Sequence, residues 1–273
     1  MAPGAASWAA SGCSFDGGLT LTPLVWSGQG APVLRRAPSA ETGSRLVVDA
    51  HDEAGLLTEF LLDTGTSCAF VSDEAAAARS ARTSARRVRL LANEGSCSYP
   101  GRDATIPVMD LGGLRASDLP VFILERAHDL RYPANVIGMS WVSGLALAHD
   151  ARGDAWSLLR SGAAGPFSGG GETMIAAPGL PVVPLVDERG RTVYGLVDTG
   201  TPTSLVEAGT AHGRYLLKDA SGNTLLQIDA RTDAPWSGLR PGGRPVTVWI
   251  GLDALSTRSF TLDFTTRRWT FAP

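Results

Sequence analysis

The sequence predicts an all-β protein built as two related lobes about a pseudo-twofold axis, with a cleft between them. Three observations carry this prediction. Two apolar residues followed by Asp-Thr-Gly occur twice, as Leu61-Leu62-Asp63-Thr64-Gly65-Thr66-Ser67 and as Leu196-Val197-Asp198-Thr199-Gly200-Thr201-Pro202. Both copies sit inside a longer internal repeat. The apolar segments are short and bounded by turn residues, with 32 Gly and 17 Pro among 273 residues, which favours strands and turns over helices.

The repeat reads without gaps over its central part. A shift of 135 (198 minus 63) lays Val47-Val48 on Val182-Val183, Asp52-Glu53 on Asp187-Glu188, Gly55 on Gly190 and Val71 on Val206. A second register, 113, lays Gly138 on Gly251, Ser143 on Ser256, Asp150 on Asp263 and Trp156 on Trp269. Both of those glycines follow two bulky residues, Val136-Ile137 and Trp249-Ile250. The second half has therefore lost 22 residues between its two motifs (135 minus 113). Duplication of this kind settles the architecture before any single motif is interpreted.

Taken in order, residues 1–44 are rich in Gly, Ala, Pro and Ser, with a mobile tail over about 1–18 and an apolar run at Leu19–Trp26 that suits an edge strand. Arg45–Leu62 reads as a hairpin turning at Asp52-Glu53-Ala54-Gly55. Ser72 is placed to cap a short helix from Asp73 to about Ala81, with acidic residues first and Arg79 and Arg82 towards its end. Arg82, Arg86, Arg87 and Arg89 then form a solvated face or a binding patch. A hairpin about Asn93-Glu94-Gly95 follows, then strands at Thr105–Leu111 and Leu119–Leu124 about Gly112-Gly113. Leu145–Leu159 closes the first half, turning at Asp150–Asp154. Residues 161–179, with Ser161-Gly162-Ala163-Ala164-Gly165-Pro166 and Gly169-Gly170-Gly171, read as a linker. The plan then repeats: a hairpin at Val182–Val197, another at Tyr215–Ile228 about Ala220-Ser221-Gly222-Asn223, a strand ending at Gly251, and a closing hairpin at Phe260–Phe271. This divides the chain into an N-terminal lobe (1–160), the linker (161–179) and a C-terminal lobe (180–273).

Composition narrows the function. Apolar content of 44% and charge of 19% suit a globular chain, and a net charge of −3 gives no reason to invoke nucleic acid. No apolar run has the length of a membrane-spanning helix. The N-terminus lacks the charged and apolar regions of an intact signal peptide, yet Ala10-Ser11-Gly12-Cys13 loosely resembles the end of a bacterial lipoprotein signal. Cys13 is thus either an exposed cysteine in a tail or a lipidated residue, and a place in the cell envelope or periplasm is favoured over the cytoplasm. Three cysteines do not make a disulfide framework, although Cys68 and Cys97 could pair in an oxidising compartment. His51, His128, His149 and His212 form no ligand cluster, so neither a metal nor another cofactor is expected.

The chemistry is carried by two carboxylates. If the halves pack about a twofold axis, Asp63 and Asp198 meet there, and like charges a few ångströms apart share a proton. One carboxylate then serves as general base to a water, and its protonated partner donates to a carbonyl. Gly65 and Gly200 let backbone approach the carboxylates. Thr64 and Thr199 are placed to bond across the axis, and Thr66 and Thr201 to favour the ionised form of each Asp. A serine hydrolase does not fit, since Gly138-Met139-Ser140-Trp141-Val142 lacks the second Gly of a nucleophile elbow.

The paired Asp63-Thr64-Gly65-Thr66-Ser67 and Asp198-Thr199-Gly200-Thr201, each with its downstream apolar-apolar-Gly, resemble the aspartic peptidases. The single-chain duplication is similar to the two-lobed pepsin family, and the compact lobes and closing hairpin to bacterial retropepsin-like proteases. The resemblance spans roughly residues 45–273 and implies a bilobal acid-protease fold and endopeptidase action on peptides or proteins. It also implies a monomer, since one chain supplies both Asp residues. It implies a β-hairpin flap, with Tyr99 and Gly95 as first-lobe candidates and the hairpin at 215–228 as the competitor. Pro202 departs from the pattern, where a small hydroxyl residue is expected. The alternative is a non-catalytic peptide-binding protein on the same fold.

Overall fold

The computed structural model describes residues 11–14, 24–39, 43–92, 97–125, 135–162, 171–173, 175–177, 180–234 and 245–272. After β1 (Ser11–Ser14) and β2 (Val33–Ser39), β3 (Gly43–Asp52) and β4 (Leu57–Leu62) form the expected first hairpin. Its turn is built by sequence: Asp52 Oδ1 accepts the N–H groups of Ala54 and Leu56 at 3.0 and 2.8 Å, and Gly55 takes φ +77°. The same Asp-x-x-Gly device recurs at Asp187, which accepts from Arg189 and Arg191 on either side of Gly190, and at Asp219, which accepts from Ser221 and Asn223 around Gly222. In each, the side chain pins two amides while the glycine supplies the left-handed residue that reverses the chain.

The first lobe continues through β5 (Phe70–Ser72), α1 (Ala76–Ser80), β6 (Arg82–Ala92), β7 (Cys97–Leu111), β8 (Leu114–Leu124), β9 (Val136–Ile137), α2 (Met139–Val142) and the hairpin β10 (Leu145–Asp150)–β11 (Ala155–Arg160). Helix α1 starts later than the sequence suggests, and Ser72 does not cap it. The Asp73 amide still bonds to the Leu124 carbonyl at 3.2 Å, and the Ser72 hydroxyl accepts from Glu74 at 3.1 Å, so these residues make a turn off the sheet before the helix begins. In the region of the predicted edge strand, residues 19–23 lie outside the described residues and Leu24–Trp26 form no strand. Trp26 is instead a core residue whose indole N–H donates to the Trp141 carbonyl at 2.9 Å.

Within the predicted linker, β12 (Gly171–Thr173) pairs with the C-terminal strand and β13 (Ile175–Ala177) pairs with the start of the second lobe. Its first residues are also held, since Ser161 and Gly162 donate to the Asp263 carboxylate. The second lobe comprises β14 (Leu180–Asp187), β15 (Thr192–Val197), β16 (Leu205–Glu207), β17 (Gly213–Lys218), β18 (Thr224–Ala230), β19 (Thr232–Ala234), β20 (Val246–Ile250) and α3 (Leu252–Leu255). The hairpin β21 (Phe260–Asp263)–β22 (Arg268–Phe271) ends it.

Among the described residues two sheets result, one of fourteen strands and one of eight, as expected of a bilobal all-β fold. In the first lobe the additional β3–β7 pairing closes β7, β8, β5, β9, β4 and β3 into a barrel. The lobes share one plan in register. β4 runs parallel to β9 with Leu61 opposite Val136, and β15 runs parallel to β20 with Leu196 opposite Trp249. These partners are related by the 135 and 113 shifts read from sequence.

Strand pairing also locates the missing residues. β3 meets β7 at His51–Asp110, and β14 meets β17 at Val186–Leu216, so the offset there has dropped to 106 (216 minus 110). Hence β17–β18 of the second lobe corresponds to β7–β8 of the first. The long hairpin formed by β6 and the outer part of β7, together with α1, has no counterpart. The net difference of 22 hides this larger excision, because the second lobe regains residues further on.

The hairpins β10–β11 and β21–β22 lie side by side in the larger sheet, flanked by β2 and β12. At its centre Ala148 pairs with Thr261. These residues are 113 apart, so each is the other's repeat equivalent and the pseudo-twofold axis passes between them. Trp156, Phe260, Trp269 and Phe271 pack around that point, with centroids 5.0–5.8 Å apart for Trp156–Phe260, Phe260–Trp269 and Trp269–Phe271. Fully buried rings of this size each contribute roughly 1.5–3 kcal/mol.

Candidate active site

Each Asp-Thr-Gly turn leaves a strand buried on both faces, which is why its two preceding residues are apolar. The Asp63 amide donates to the Ile137 carbonyl and the Asp198 amide to the Ile250 carbonyl, both at 3.0 Å. Downstream, the Met139 and Ser140 amides donate to the Thr66 and Ser67 carbonyls, as those of Leu252 and Asp253 donate to Thr201 and Pro202. The glycine ahead of α2 is required by this close approach: a Cβ on Gly138 would lie 2.1 Å from the Cys68 carbonyl oxygen, and one on Gly251 2.5 Å from Thr203.

The two turns meet. Asp63 and Asp198 are buried, at 2% and 0% exposure, and share a side-chain hydrogen bond. Gly65 N–H donates to Asp63 Oδ1 at 2.8 Å, and Gly200 N–H to Asp198 Oδ1 at 2.9 Å. The glycines also face the opposite carboxylate: a Cβ on Gly65 would fall 2.5 Å from Asp198 Cγ, and one on Gly200 the same distance from Asp63 Cγ. No residue larger than glycine leaves room for the pair.

Thr64 and Thr199 lock the turns across the axis. The Thr64 hydroxyl donates to the Val197 carbonyl at 2.7 Å and accepts from the Thr199 amide at 3.1 Å. The Thr199 hydroxyl donates to Leu62 at 2.8 Å and accepts from the Thr64 amide at 3.1 Å. Four buried bonds therefore fix the carboxylates relative to each other, independently of the packing elsewhere.

Thr66 and Thr201 are both buried. The Thr201 hydroxyl donates to Asp198 Oδ2 at 3.0 Å, so Pro202 does not turn it away. The Pro202 carbonyl accepts in the same way as its counterpart on Ser67, and the loop keeps its bonding with proline there. Burial, the charge of Asp63 and the hydrogen bond shared with it hold the Asp198 carboxyl well above its ordinary value of 3.8, against the pull of the Thr201 hydroxyl and the Gly200 amide. At this pair burial outweighs the hydroxyl.

A supporting layer escapes motif reading. Ser204 Oγ donates to Asp253 at 2.6 Å and accepts from the Gly251 amide at 3.1 Å, while in the first lobe Ser140 Oγ accepts from the Ala69 amide at 3.0 Å. These contacts tie each Asp loop to the helix beneath it. The two repeat shifts lay Ala69 on Ser204 and Ser140 on Asp253, so the hydroxyl has moved to the other member of the pair.

Tyr99 lies on β7 opposite Leu90 and is half-buried. Gly95 lies outside the described residues, as do the side chains of Arg86, Arg87, Arg89, Cys13 and Cys97. Cys68 is disulfide-bonded. The competing hairpin at 215–228 is the counterpart of β7–β8, not of the long β6–β7 hairpin. Among the described residues no group of three or more His, Cys, Asp or Glu is arranged to hold a metal, and no helix is long and apolar enough to cross a membrane.

Residues 53–141 match a sequence-family model described as aspartyl protease. The whole fold is similar to the crystal structure of the aspartic proteinase from Irpex lacteus, with a TM-score of 0.59 at 13% identity, covering 91% of this chain and 97% of that one. No curated protein matches the chain. The first lobe thus carries a segment similar to the aspartyl proteases, and the chain as a whole has the bilobal all-β fold of a pepsin-like aspartic proteinase.

Proposed function

We propose that the chain is an aspartic endopeptidase whose catalytic groups are Asp63 and Asp198, one from each lobe. The observation that supports this reading is the crossed geometry of the two turns, in which each glycine approaches the other lobe's carboxylate; two buried carboxyls so placed share a proton. The ionised carboxylate takes a proton from a water held between the pair, and that water adds to the peptide carbonyl carbon. The protonated carboxyl donates to the carbonyl oxygen as the tetrahedral species forms. Collapse then breaks the C–N bond, and the proton gained from water passes to the leaving amine. No step draws on a metal or a covalent enzyme intermediate.

Thr64, Gly65, Thr66, Thr199, Gly200 and Thr201 support the dyad. The hairpin β6–β7 is the flap, closing over an extended peptide from the first lobe only. Tyr99, two residues beyond the first residue of β7, is the side chain offered to substrate, and Gly95 is the second flap candidate by sequence. The functional unit is a monomer divided as 1–160, 161–179 and 180–273, and its substrate is a peptide or protein. Incubation with a diverse peptide library across pH, with and without pepstatin, tests this. Pepstatin-sensitive cleavage at acid pH is expected; specific peptide binding without cleavage at any pH would make the protein a non-catalytic binder.

A further inference from the structure

Cys68, five positions after Asp63 (68 minus 63), is disulfide-bonded and buried, with 4% exposure. The backbone on both sides of it is held. The Ser67 carbonyl accepts the Ser140 amide at 2.9 Å, the Ala69 amide donates to Ser140 Oγ at 3.0 Å, and the Ala69 carbonyl accepts the Phe122 amide at 3.0 Å. The sulfur is therefore carried by a fixed part of the loop that places the first carboxylate of the dyad.

The chain has three cysteines, so the bond from Cys68 ends at Cys13 or at Cys97. Both positions belong to one small sheet. In β6–β7, Cys97 stands opposite Ala92 and Tyr99 opposite Leu90; in β1–β6, Cys13 stands opposite the same Leu90. Directly paired residues share a face, as do residues two apart on one strand. Cys13, Cys97 and Tyr99 thus occupy positions on one face of β1–β6–β7. Whichever cysteine closes the bond, it joins that sheet to the Asp63 loop.

Strand pairing alone holds the outer part of this sheet weakly. β7 leaves β8 at the Gly101–Leu124 pair, and the Glu125 amide reaches the Pro100 carbonyl at 3.0 Å. Beyond that point Leu90–Ala92 and Cys97–Tyr99 pair with each other and, through β6, with β1. Two strands alone are marginally stable in water, and β1 adds four residues.

We propose that the Cys68 disulfide staples the Asp63 loop to the β1–β6–β7 sheet, and that its redox state sets how firmly the flap is positioned over the dyad. The role rests on the reading of β6–β7 as a flap, but the staple and its hold on the sheet do not depend on cleavage. A dithiol reductant opens it. One thiolate of the reductant attacks a sulfur to form a mixed disulfide, and its second thiolate displaces the cysteine. Two electrons and two protons reach the protein as two thiols, while the reductant leaves as a disulfide. The oxidised chain presents a preorganised flap; the reduced chain orders it when substrate binds, which weakens binding.

Peptide mapping of the non-reduced full-length protein, then hydrogen exchange of the oxidised and dithiothreitol-reduced forms, tests this. Mapping should join the Cys68 peptide to that of Cys97 or Cys13 within one chain. Reduction should speed exchange of the Leu90–Ala92 and Cys97–Tyr99 amides about tenfold and leave β14–β18 unchanged. A free Cys68 thiol, a bond between two chains, equal exchange in both forms, or exchange that rises evenly over both lobes overturns the proposal. Serine at the mapped partner, as Cys97→Ser or Cys13→Ser, should reproduce the reduced pattern while Cys68 stays in place; the oxidised pattern in that variant overturns it too. In cleavage assays reduction should raise KM with kcat unchanged, and reoxidation should restore it. An unchanged KM overturns the role in positioning, whereas absence of all cleavage counts against the proposed function and leaves the mapping and exchange to decide the staple.

Discussion

At the scale of single residues, the site is decided by which atoms fit between two carboxylates. Asp63→Asn and Asp198→Asn should each lower kcat/KM by roughly 10²–10⁴-fold, the range for loss of a positioned acid or base, with circular dichroism unchanged. Retained activity in either variant would remove the dyad. Asp198→Asn should also change the pH dependence of stability. An acid held above its ordinary value of 3.8 binds more protons folded than unfolded, so it costs stability as pH rises past that value. Urea unfolding should therefore show the variant gaining on wild type from pH 4 towards neutrality. Gly65→Ala would set a methyl 2.5 Å from Asp198 Cγ, and loss of cleavage without loss of the fold is the expected result. Replacing Thr66 and Thr201 together by Ala removes a donor to the ionised form, so the bell-shaped kcat/KM profile should move upward from the acid side. An unchanged profile would show that these hydroxyls do not set the range.

Elements divide into those that both lobes need and those that only the first has. The paired threonine turns belong to the shared set. Thr64→Val would leave a buried carbonyl and a buried amide without their partner, costing about 2–4 kcal/mol in urea unfolding. The Asp-x-x-Gly turns should weaken in strong acid. The Arg191 amide holds Asp187, and the Asn223 side chain holds Asp219, below the ordinary 3.8. Stability from a lowered acid is present above its unfolded value and lost as pH falls through the folded one. The β6–β7 hairpin is the largest of the unshared elements. Replacing Leu90–Tyr99 by an Asn-Gly turn should leave the barrel folded, because the β3, β4, β5, β8 and β9 pairings do not use those residues. It should cost roughly 10²-fold in kcat/KM through lost substrate positioning. Full activity after that deletion would mean that another element covers the site.

Across the whole molecule, one axis runs from the Asp63–Asp198 pair to the Ala148–Thr261 pair in the central sheet. Both ends join the first lobe to the second: four threonine bonds at one, and a continuous ladder with buried aromatic rings at the other. A single chain therefore completes the site. Sedimentation should find an active monomer at assay concentrations, with specific activity independent of dilution. Activity falling with the square of concentration would instead require a site formed between chains.

Sequence by itself determined the duplication, and through it the all-β bilobal plan, the pairing of Asp63 with Asp198, and the glycines that such a pairing demands. These are legible because a repeat copies every local rule at once: apolar strand, Asp-x-x-Gly turn, Asp-Thr-Gly turn, closing glycine. Tertiary structure decided what depends on partners distant in the chain. Register alone showed that the hairpin at 215–228 matches β7–β8, since a net offset of 22 cannot tell one deletion from a larger deletion partly refilled. Strand pairing turned parts of the predicted linker into β12 and β13, and a continuing ladder at Asp73 delayed α1. The dominance of burial over the Thr201 hydroxyl at Asp198 arises from groups more than a hundred residues apart and from exclusion of water. It is not written in local sequence, because desolvation exists only once the lobes have closed on each other.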